Sequence, residues 1–338
     1  MTIKALILQE NPQERIVIKE TDLPDLKPGE ALIRIKAAAL NHRDQWARVG
    51  MYPGLTYPSI LGSDGCGVVE KVFDSEHDHW LGKEVIINPN VNWGDHPDYP
   101  SRNYTILGMP THGTLAEYLI VPAHRLHLKP AHLSTEEAAA IPLAGLTAYR
   151  AVFTKGKVAA DQDVFISGIG GGVALFALQF AVALGARVCV SSGQEEKLEL
   201  ARKYGAVGRV NYKEELWFKA LQKNYPLGFQ VIIDSAGGKD FGELAKMIAL
   251  GGTMVVYGTT AGTPSPLNLP RLFFSQASIQ GTTMGNDQEF EAMINFVNKH
   301  QIKPVVSSVR PLSEAISAFD EMAASKQFGK LVIKISET

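Results

Sequence analysis

The chain has 338 residues, 45% hydrophobic and 20% charged, with a formal net charge of -2; it is too long for one hydrophobic core and too apolar to be disordered. No long basic run advertises nucleic acid or an anionic membrane, so a small and fairly neutral ligand is the expected partner. Two cysteines, Cys66 and Cys189, are too few for a disulfide framework and read as reduced, buried thiols.

The opening "MTIKALILQENPQERIVIKE" lacks the basic segment, apolar core and cleavage site of a secretory signal. The most apolar stretch, residues 164–191, is interrupted by Gly168 to Gly172, Gly185 and Arg187, which argues against a membrane span. A cytoplasmic protein is expected. Up to about residue 123 the runs "KALIL", "RIVIKE", "EALIRIKAAAL", "CGVVEKV", "KEVIINP" and "LAEYLIVP" predict short strands. Pro28-Gly29, Pro53-Gly54 and Gly82-Lys83 punctuate them as turns, which describes a mostly antiparallel, barrel-like domain. Residues 88–113, polar, aromatic and proline-bearing, read as a long surface loop able to serve as a lid. The "HDHW" at 77–80 reads as part of a solvated acidic turn.

From Ser134 the pattern changes: "STEEAAAIPLAGLTAYRAVF" offers a cap, an acidic first turn and then small and apolar residues at helical spacing. Six β-rich runs follow, "DVFIS", "ARVCVSS", "VGRVNY", "FQVIIDS", "GTMVVYG" and "ASIQGTT", separated mostly by amphipathic segments. That alternation predicts a parallel sheet wound on both faces. The tail adds a helix and a closing strand. Boundaries near 130 and 285 are expected: 1–130 catalytic, 131–285 nucleotide-binding, and 286–338 returning to the catalytic domain.

The stretch "VFISGIGGGVALFALQFAVALGA" is the most informative. Val164 to Ser167 read as a strand and Gly168 to Gly172 as a turn before a helix, with Gly171, Gly172 and Val173 expected to bind the cofactor. Val173, Phe176, Ala177, Phe180, Ala181 and Leu184 fall on one face of that helix. Such a turn lets backbone approach a pyrophosphate, while the helix's free amides and positive end stabilise its charge. The spacing departs from strict G-x-G-x-x-G, and alone it would also suit a plain connection.

After the second strand no acidic residue stands at the tip; Ser191, Ser192 and Gly193 are followed by Lys197, and Tyr212 ends the third strand. Hydroxyls with one ammonium suit a ribose phosphate, whereas a carboxylate would repel it, so NADPH is expected rather than NADH. Lys197 also fits a solvated helix face among Glu195, Glu196 and Glu199. The strand end "VVYGTTAG" is expected to set Gly258 and Thr259 on the nicotinamide side, with Met284 nearby.

The stretches "ALNHRDQWARVGMY", "PSILGSDGCGVV", "GTLAEYLIVPA", "STEEAAAIPLAGLTAYRAV", "GGGVALFALQFAVALGA", "SSGQEEKLELARKYGA" and "FGKLVIKI" together resemble the medium-chain dehydrogenase/reductase superfamily, in particular its zinc-lacking quinone oxidoreductase-like branch. The resemblance implies an α/β chain with a GroES-like β-barrel catalytic domain completed by the tail. It further implies a Rossmann doubly wound parallel-sheet cofactor domain and a homodimer. Thr147 matches a threonine that reaches the cofactor, and Gly329 and Lys330 match a tail segment beside it. Zinc-bearing relatives carry a cysteine, a histidine and a cysteine or acid where this sequence has Asn41, Ser63 and, nearby, Leu143. These residues are poor ligands or none, and residues 83–113 contain no cysteine for a structural zinc. His42, Asp44 and Asp64 remain as a conceivable metal constellation, but no metal is expected. Ala174 replaces a usual glycine of the turn, and His112 has no evident role.

Without a Lewis acid a simple ketone is hard to reduce, while an enone or quinone spreads the charge it gains, so hydrogen-bond donors suffice. The expected catalytic residues are Asn41 as a donor to the substrate oxygen, Asp44 as an orienting group and Tyr52 as a proton donor or pocket wall. Asn41 also suits an amide that ties down its loop. The expected activity is an NADPH-dependent reduction of quinones or α,β-unsaturated carbonyls by metal-free hydride transfer. Its alternatives are a zinc-dependent alcohol dehydrogenase and a non-catalytic NADPH-binding regulatory or RNA-binding protein.

Overall fold

The fold, a computed structural model, describes residues 1–336 and divides into two compact units. One comprises Met1–Ala144 and the chain from Asn286 onward; the other is Gly145–Gly285.

The first unit is built on Glu30–Ala39, ten residues long, paired antiparallel with Asp64–Val72 on one side and with Tyr118–Pro122. Its far end takes the tail strand Lys330–Lys334, antiparallel through Val332 to Ala39. The closing strand predicted from the tail therefore completes the first unit's sheet. Thr2–Leu8 and Ile16–Asp22 form a second antiparallel pair. Alternation in "KALIL" and "EALIRIKAAAL" turns Leu6, Leu8, Ala38 and Leu40 into one core with Phe319, Met322 and Ile333 of the tail. The strands Ser59–Ile60, Leu126–Leu128 and Val306–Pro311 carry no prediction; they are short or, like "VSSVRP", alternate only between half-buried and exposed positions.

Two expectations need correction. Residues 131–144, expected in the nucleotide-binding domain, lie in the first unit, because the helix Thr135–Ala139 packs on Glu30–Ala39, Asp64–Val72 and the tail strands. Residues 88–113 are only partly a surface loop. Asn90–Val91 pairs with Thr105–Ile106, and Asn88, Asn90, Trp93, Leu107 and Met109 are buried. Aromatic and polar residues hid a packed hairpin, since both Asn88 and Asn90 find an acceptor distant in sequence and donate to Asp287.

The second unit is a six-stranded parallel sheet with Asp163–Ile166 at its centre, flanked by Arg187–Ser192 and Phe229–Asp234. Outward lie Gly208–Asn211 on one side and Ile248–Val256 then Ser278–Gly281 on the other. All six predicted β-runs are strands. The order reverses beside the central strand, which puts a crevice outside the carboxyl ends of the strands on either side. The helix Gly172–Ala183 differs from the one-face expectation: Ala174, Leu175 and Leu178 are buried as well as Phe176, Ala177, Phe180 and Ala181. It packs on two strands and on the helical turn Arg150–Lys155, and Tyr149, Phe153 and Phe176 ring Phe180. A helix apolar all round is a buried helix. Cys66 and Cys189 are both buried free thiols. Among the described residues no helix is long and apolar enough to cross a membrane.

Candidate active site

In the first unit the chemistry gathers around the start of the helix His42–Arg48. Asp64, at the start of its strand and fully buried, accepts from Asn41 Nδ2 at 2.9 Å, Lys330 Nζ at 2.8 Å and the Leu143 backbone amide at 2.7 Å. Lys330 Nζ also donates to Asn41 Oδ1 at 2.6 Å. A buried carboxylate with an ammonium and two further donors meets the condition under which a charge tolerates burial. Asp44 accepts from the Asn41 backbone N–H at 2.8 Å. Burial raises its carboxyl above the ordinary range, although Arg43 and that N–H pull the other way.

The structure thus joins Asn41, Asp44 and Lys330 in one network. Asn41 ties both ends of its amide to that network, Nδ2 donating to Asp64 and Oδ1 accepting from Lys330. His42, Asp44 and Asp64 do not converge as ligands, because both carboxylates are committed to hydrogen bonds. His42 keeps a face open to solvent, yet the surrounding protein and then Lys330 hold its imidazole below the usual range. His112 accepts from the Ile60 backbone N–H at 3.3 Å, which supplies the role missing from its sequence context. Around the "HDHW" turn, Asp74, Glu76 and His77 are close enough to share an ion, but they form a surface acidic group with none of them buried.

Arg43 was not among the expected residues. Its guanidinium donates from Nη1 to Ser63 Oγ at 2.6 Å and to the Leu107 carbonyl at 2.7 Å. Its Nε donates to the Tyr52 hydroxyl at 3.1 Å, and the group lies 4.7 Å from that ring's centre. Tyr52 is thereby brought beside Ser63. Its place on the inward-facing stripe of the helix, four residues before buried Ala47, shows only in the fold.

In the second unit the glycine turn has the expected geometry. Gly168 and Gly170 have φ of 65° and 134°, conformations side chains disfavour. The Gly168 amide donates to Ser191 Oγ at 3.2 Å and the Ile169 amide to the Ser191 carbonyl at 2.7 Å. Gly171 caps the helix with no side chain, so the amides of Gly172, Val173 and Ala174 lack intrahelical acceptors. A Cβ on Gly170 would stand 2.9 Å from Lys197 Cδ and 3.4 Å from its Nζ. Lys197 therefore lies over the turn, largely buried, and burial lowers its ammonium's pKa. It is not the solvated lysine that its glutamate neighbours also suggested.

Ser192 Oγ accepts from the Gln194 amide at 3.2 Å. A Cβ on Gly193 would meet the Tyr212 ring and Lys213 Cε, each at 2.8 Å. Lys213 is a second cation at this tip that the sequence reading missed; its signal was its place next to Tyr212. Thr147 donates to Met284 Sδ at 3.8 Å, joining two expected residues 137 positions apart. Gly258 lies against the Ser235 carbonyl, and Thr259 donates to the Gly262 carbonyl at 2.7 Å. A separate cavity of about 720 Å³ opens beside the edge strand Gly208–Asn211, between Arg187, Cys189, Arg209 and Tyr225. None of the expected site residues lines it, and burial pushes its Cys189 thiol up to about 12, far from a nucleophile.

The comparisons with known proteins agree with this architecture. Residues 27–131 match the alcohol dehydrogenase GroES-like domain and 172–299 the zinc-binding dehydrogenase family. A zinc-type alcohol dehydrogenase-like protein of Leptosphaeria maculans is 39% identical over 91% of each chain. The crystal structure of an NAD-dependent alcohol dehydrogenase superposes with a TM-score of 0.90 at 35% identity, covering 98% of this chain and 100% of the other. A crotonyl-CoA carboxylase/reductase of Cereibacter sphaeroides is 25% identical, covering 92% of this chain and 81% of its own. The chain belongs to the medium-chain dehydrogenase/reductase superfamily, with a GroES-like and a Rossmann-like domain, and is an oxidoreductase of that family.

Proposed function

We propose that the protein is an NADPH-dependent reductase of quinones or α,β-unsaturated carbonyls that needs no catalytic metal. The observation that carries the reading concerns the two atoms standing where zinc-bearing relatives have ligands. Asn41 Oδ1 already accepts from the Lys330 ammonium and Ser63 Oγ from the Arg43 guanidinium, each at 2.6 Å. A divalent ion would have to displace both cations, and the Leu143 side chain offers no lone pair, so zinc does not fit these residues. Of these relatives, the zinc-type dehydrogenase favours the rival reading, a zinc-dependent alcohol dehydrogenase, and the crotonyl-CoA reductase favours an enone-like substrate.

The second unit fits a nicotinamide dinucleotide. Gly171, Gly172 and Val173 would hold its pyrophosphate through backbone amides. Ser192, Gly193, Lys197 and Tyr212, joined by Lys213, would hold the ribose phosphate. Thr147, Gly258, Thr259 and Met284 would border the nicotinamide, and Lys330 would act from the first unit's network. Bound there, the reduced dinucleotide would supply a hydride, two electrons with one proton, to the β-carbon of an enone or to a quinone. The chain's own residues then have to stabilise the electron pair that moves onto the substrate oxygen, through Asn41 and Tyr52, and to deliver a proton. Asp44 holds the Asn41 backbone for that task.

The protein acts on a small molecule in the cytoplasm and as a homodimer. The dimer has support in the edge strand Ser278–Gly281, paired on one side only, which follows a helix exposing Phe273 and Phe274 at 57% and 78%. The test is NADPH oxidation against a panel of quinones, enals and enones, with and without chelator, beside elemental analysis of untreated protein. Turnover that survives chelation is expected. Near-stoichiometric zinc, or a cofactor-binding protein silent across the panel, overturns the reading.

A further inference from the structure

We infer that Arg43 is the fixed cation that the substrate oxygen meets, a proposal that rests on the reductase reading for its substrate class. Three bonds hold the guanidinium plane: Nη1 to Ser63 Oγ at 2.6 Å and to the Leu107 carbonyl at 2.7 Å, and Nε to the Tyr52 hydroxyl at 3.1 Å. The remaining nitrogen is under-committed. Nη2 reaches only the carbonyls of Ile106 at 3.4 Å and Met109 at 3.5 Å, at the outer limit of a hydrogen bond.

Among the described residues no carboxylate forms an ion pair with the Arg43 guanidinium, whose charge acts on buried Asp44 without a direct bond. Arg34, Arg48 and Arg125 of the same unit each pair with a carboxylate, Glu70, Asp320 and Asp287. Every bond of Arg43 goes instead to a hydroxyl or a carbonyl. A half-buried guanidinium held by neutral groups keeps much of its field for whatever approaches it. Tyr52 adds a second donor. Its oxygen accepts from Nε, and among the described residues no acceptor takes its own hydrogen. Arg43 Nη2 and the Tyr52 O–H therefore form a two-donor cradle beside Ser63, suited to an oxygen that becomes an enolate or quinol anion.

The test uses the full-length protein with saturating NADP and 4-nitrophenol, whose anion imitates the product oxygen and whose colour reports ionisation. Wild type is expected to bind the anion and to raise its ionised fraction at fixed pH. Arg43→Met should bind it at least tenfold more weakly with no such rise, while Arg43→Lys keeps a reduced rise. With an active enone or quinone, Arg43→Met should lose about a hundredfold in kcat/KM, the scale of one oxyanion donor.

Equal nitrophenolate binding by folded Arg43→Met, or no rise in ionisation with wild type, overturns the inference. If Arg43→Met does not fold, Arg43→Lys decides: a folded lysine variant without any rise also overturns it. Arg43-dependent binding of the anion with no turnover of any enone or quinone would defeat the reductase reading alone. Turnover indifferent to Arg43 would defeat this inference alone.

Discussion

The two units build their sites from different material. In Gly145–Gly285 the proposed site is mostly backbone: a turn in which Gly168 and Gly170 take conformations that side chains disfavour, free amides, and strand ends brought together by neighbouring elements. The Gly168 amide and its partner Ser191 are 23 positions apart. In the first unit the site is side chains under charge control, and Lys330 meets Asn41 across 289 positions and Asp64 across 266. A backbone cradle is written in one local stretch and tolerates variation around it. A charge network exists only once the tail has closed the sheet, and each member depends on every other.

The harshest way to break that contrast is to strip one charge from the network. Asp64→Asn leaves the Lys330 ammonium buried without its counter-ion and should cost about 3–5 kcal/mol of stability, the usual result of breaking a buried pair. Urea unfolding would measure it. Adding Lys330→Met should restore a large part of the loss, because the stranded charge is then gone. If both single variants unfold at the wild-type midpoint, the network is not what holds the first unit's site together.

The same contrast explains what the sequence disclosed. The strands of the second unit and the glycine turn were legible, because a buried parallel sheet and a glycine turn impose composition on a few consecutive residues. Asn41, Asp44, Tyr52 and Lys330 could be singled out one by one, through position and resemblance. Their connections could not, since nothing near Lys330 in sequence points to Asp64. Arg43 escaped because an arginine on a short helix usually reads as surface, and only the fold discloses the ring of carbonyls from Ile106 to Met109 that receives it. The buried hairpin within 88–113 escaped for a related reason: the side-chain amides of Asn88 and Asn90 donate to Asp287, which lies 199 and 197 positions away in the chain.

Lys197 tests whether the backbone site also relies on charge. Lys197→Met should weaken NADPH by roughly ten- to a hundredfold, the value of a charge-assisted hydrogen bond of about 1.5–3 kcal/mol, and leave NADH nearly unchanged. Fluorescence titration of both nucleotides would show it. The pH dependence has a definite sign. Burial lowers the Lys197 pKa, so the ammonium is present at low pH and lost, as pH rises, earlier than for an ordinary lysine. NADPH affinity should fall over that alkaline range in wild type and stay flat in the variant. Gly170→Ala comes next: at φ 134°, with its new Cβ 2.9 Å from Lys197 Cδ, it should cost about 1–3 kcal/mol of strain. A calorimetric unfolding scan and a weaker nucleotide Kd would record it.

The smallest effect sharpens the contrast by setting two helix starts side by side. Ser134 caps Thr135–Ala139 in a complete box: its Oγ accepts from the Glu137 amide at 3.1 Å, and Glu137 accepts from the Ser134 amide at 2.9 Å. The box is exposed and legible from "STEE". Its loss in Ser134→Ala should cost about 1 kcal/mol in thermal unfolding, the ordinary value of an N-cap, with kcat and nucleotide affinity unchanged. The start at Asn41 uses the same reciprocal carboxylate, Asp44 on the Asn41 amide at 2.8 Å, but there the cap's own side chain is held by Asp64 and Lys330. Asn41→Ala should therefore cost more stability than Ser134→Ala and lower kcat as well. Equal and purely structural costs at both starts would mean that the buried cap is only a cap.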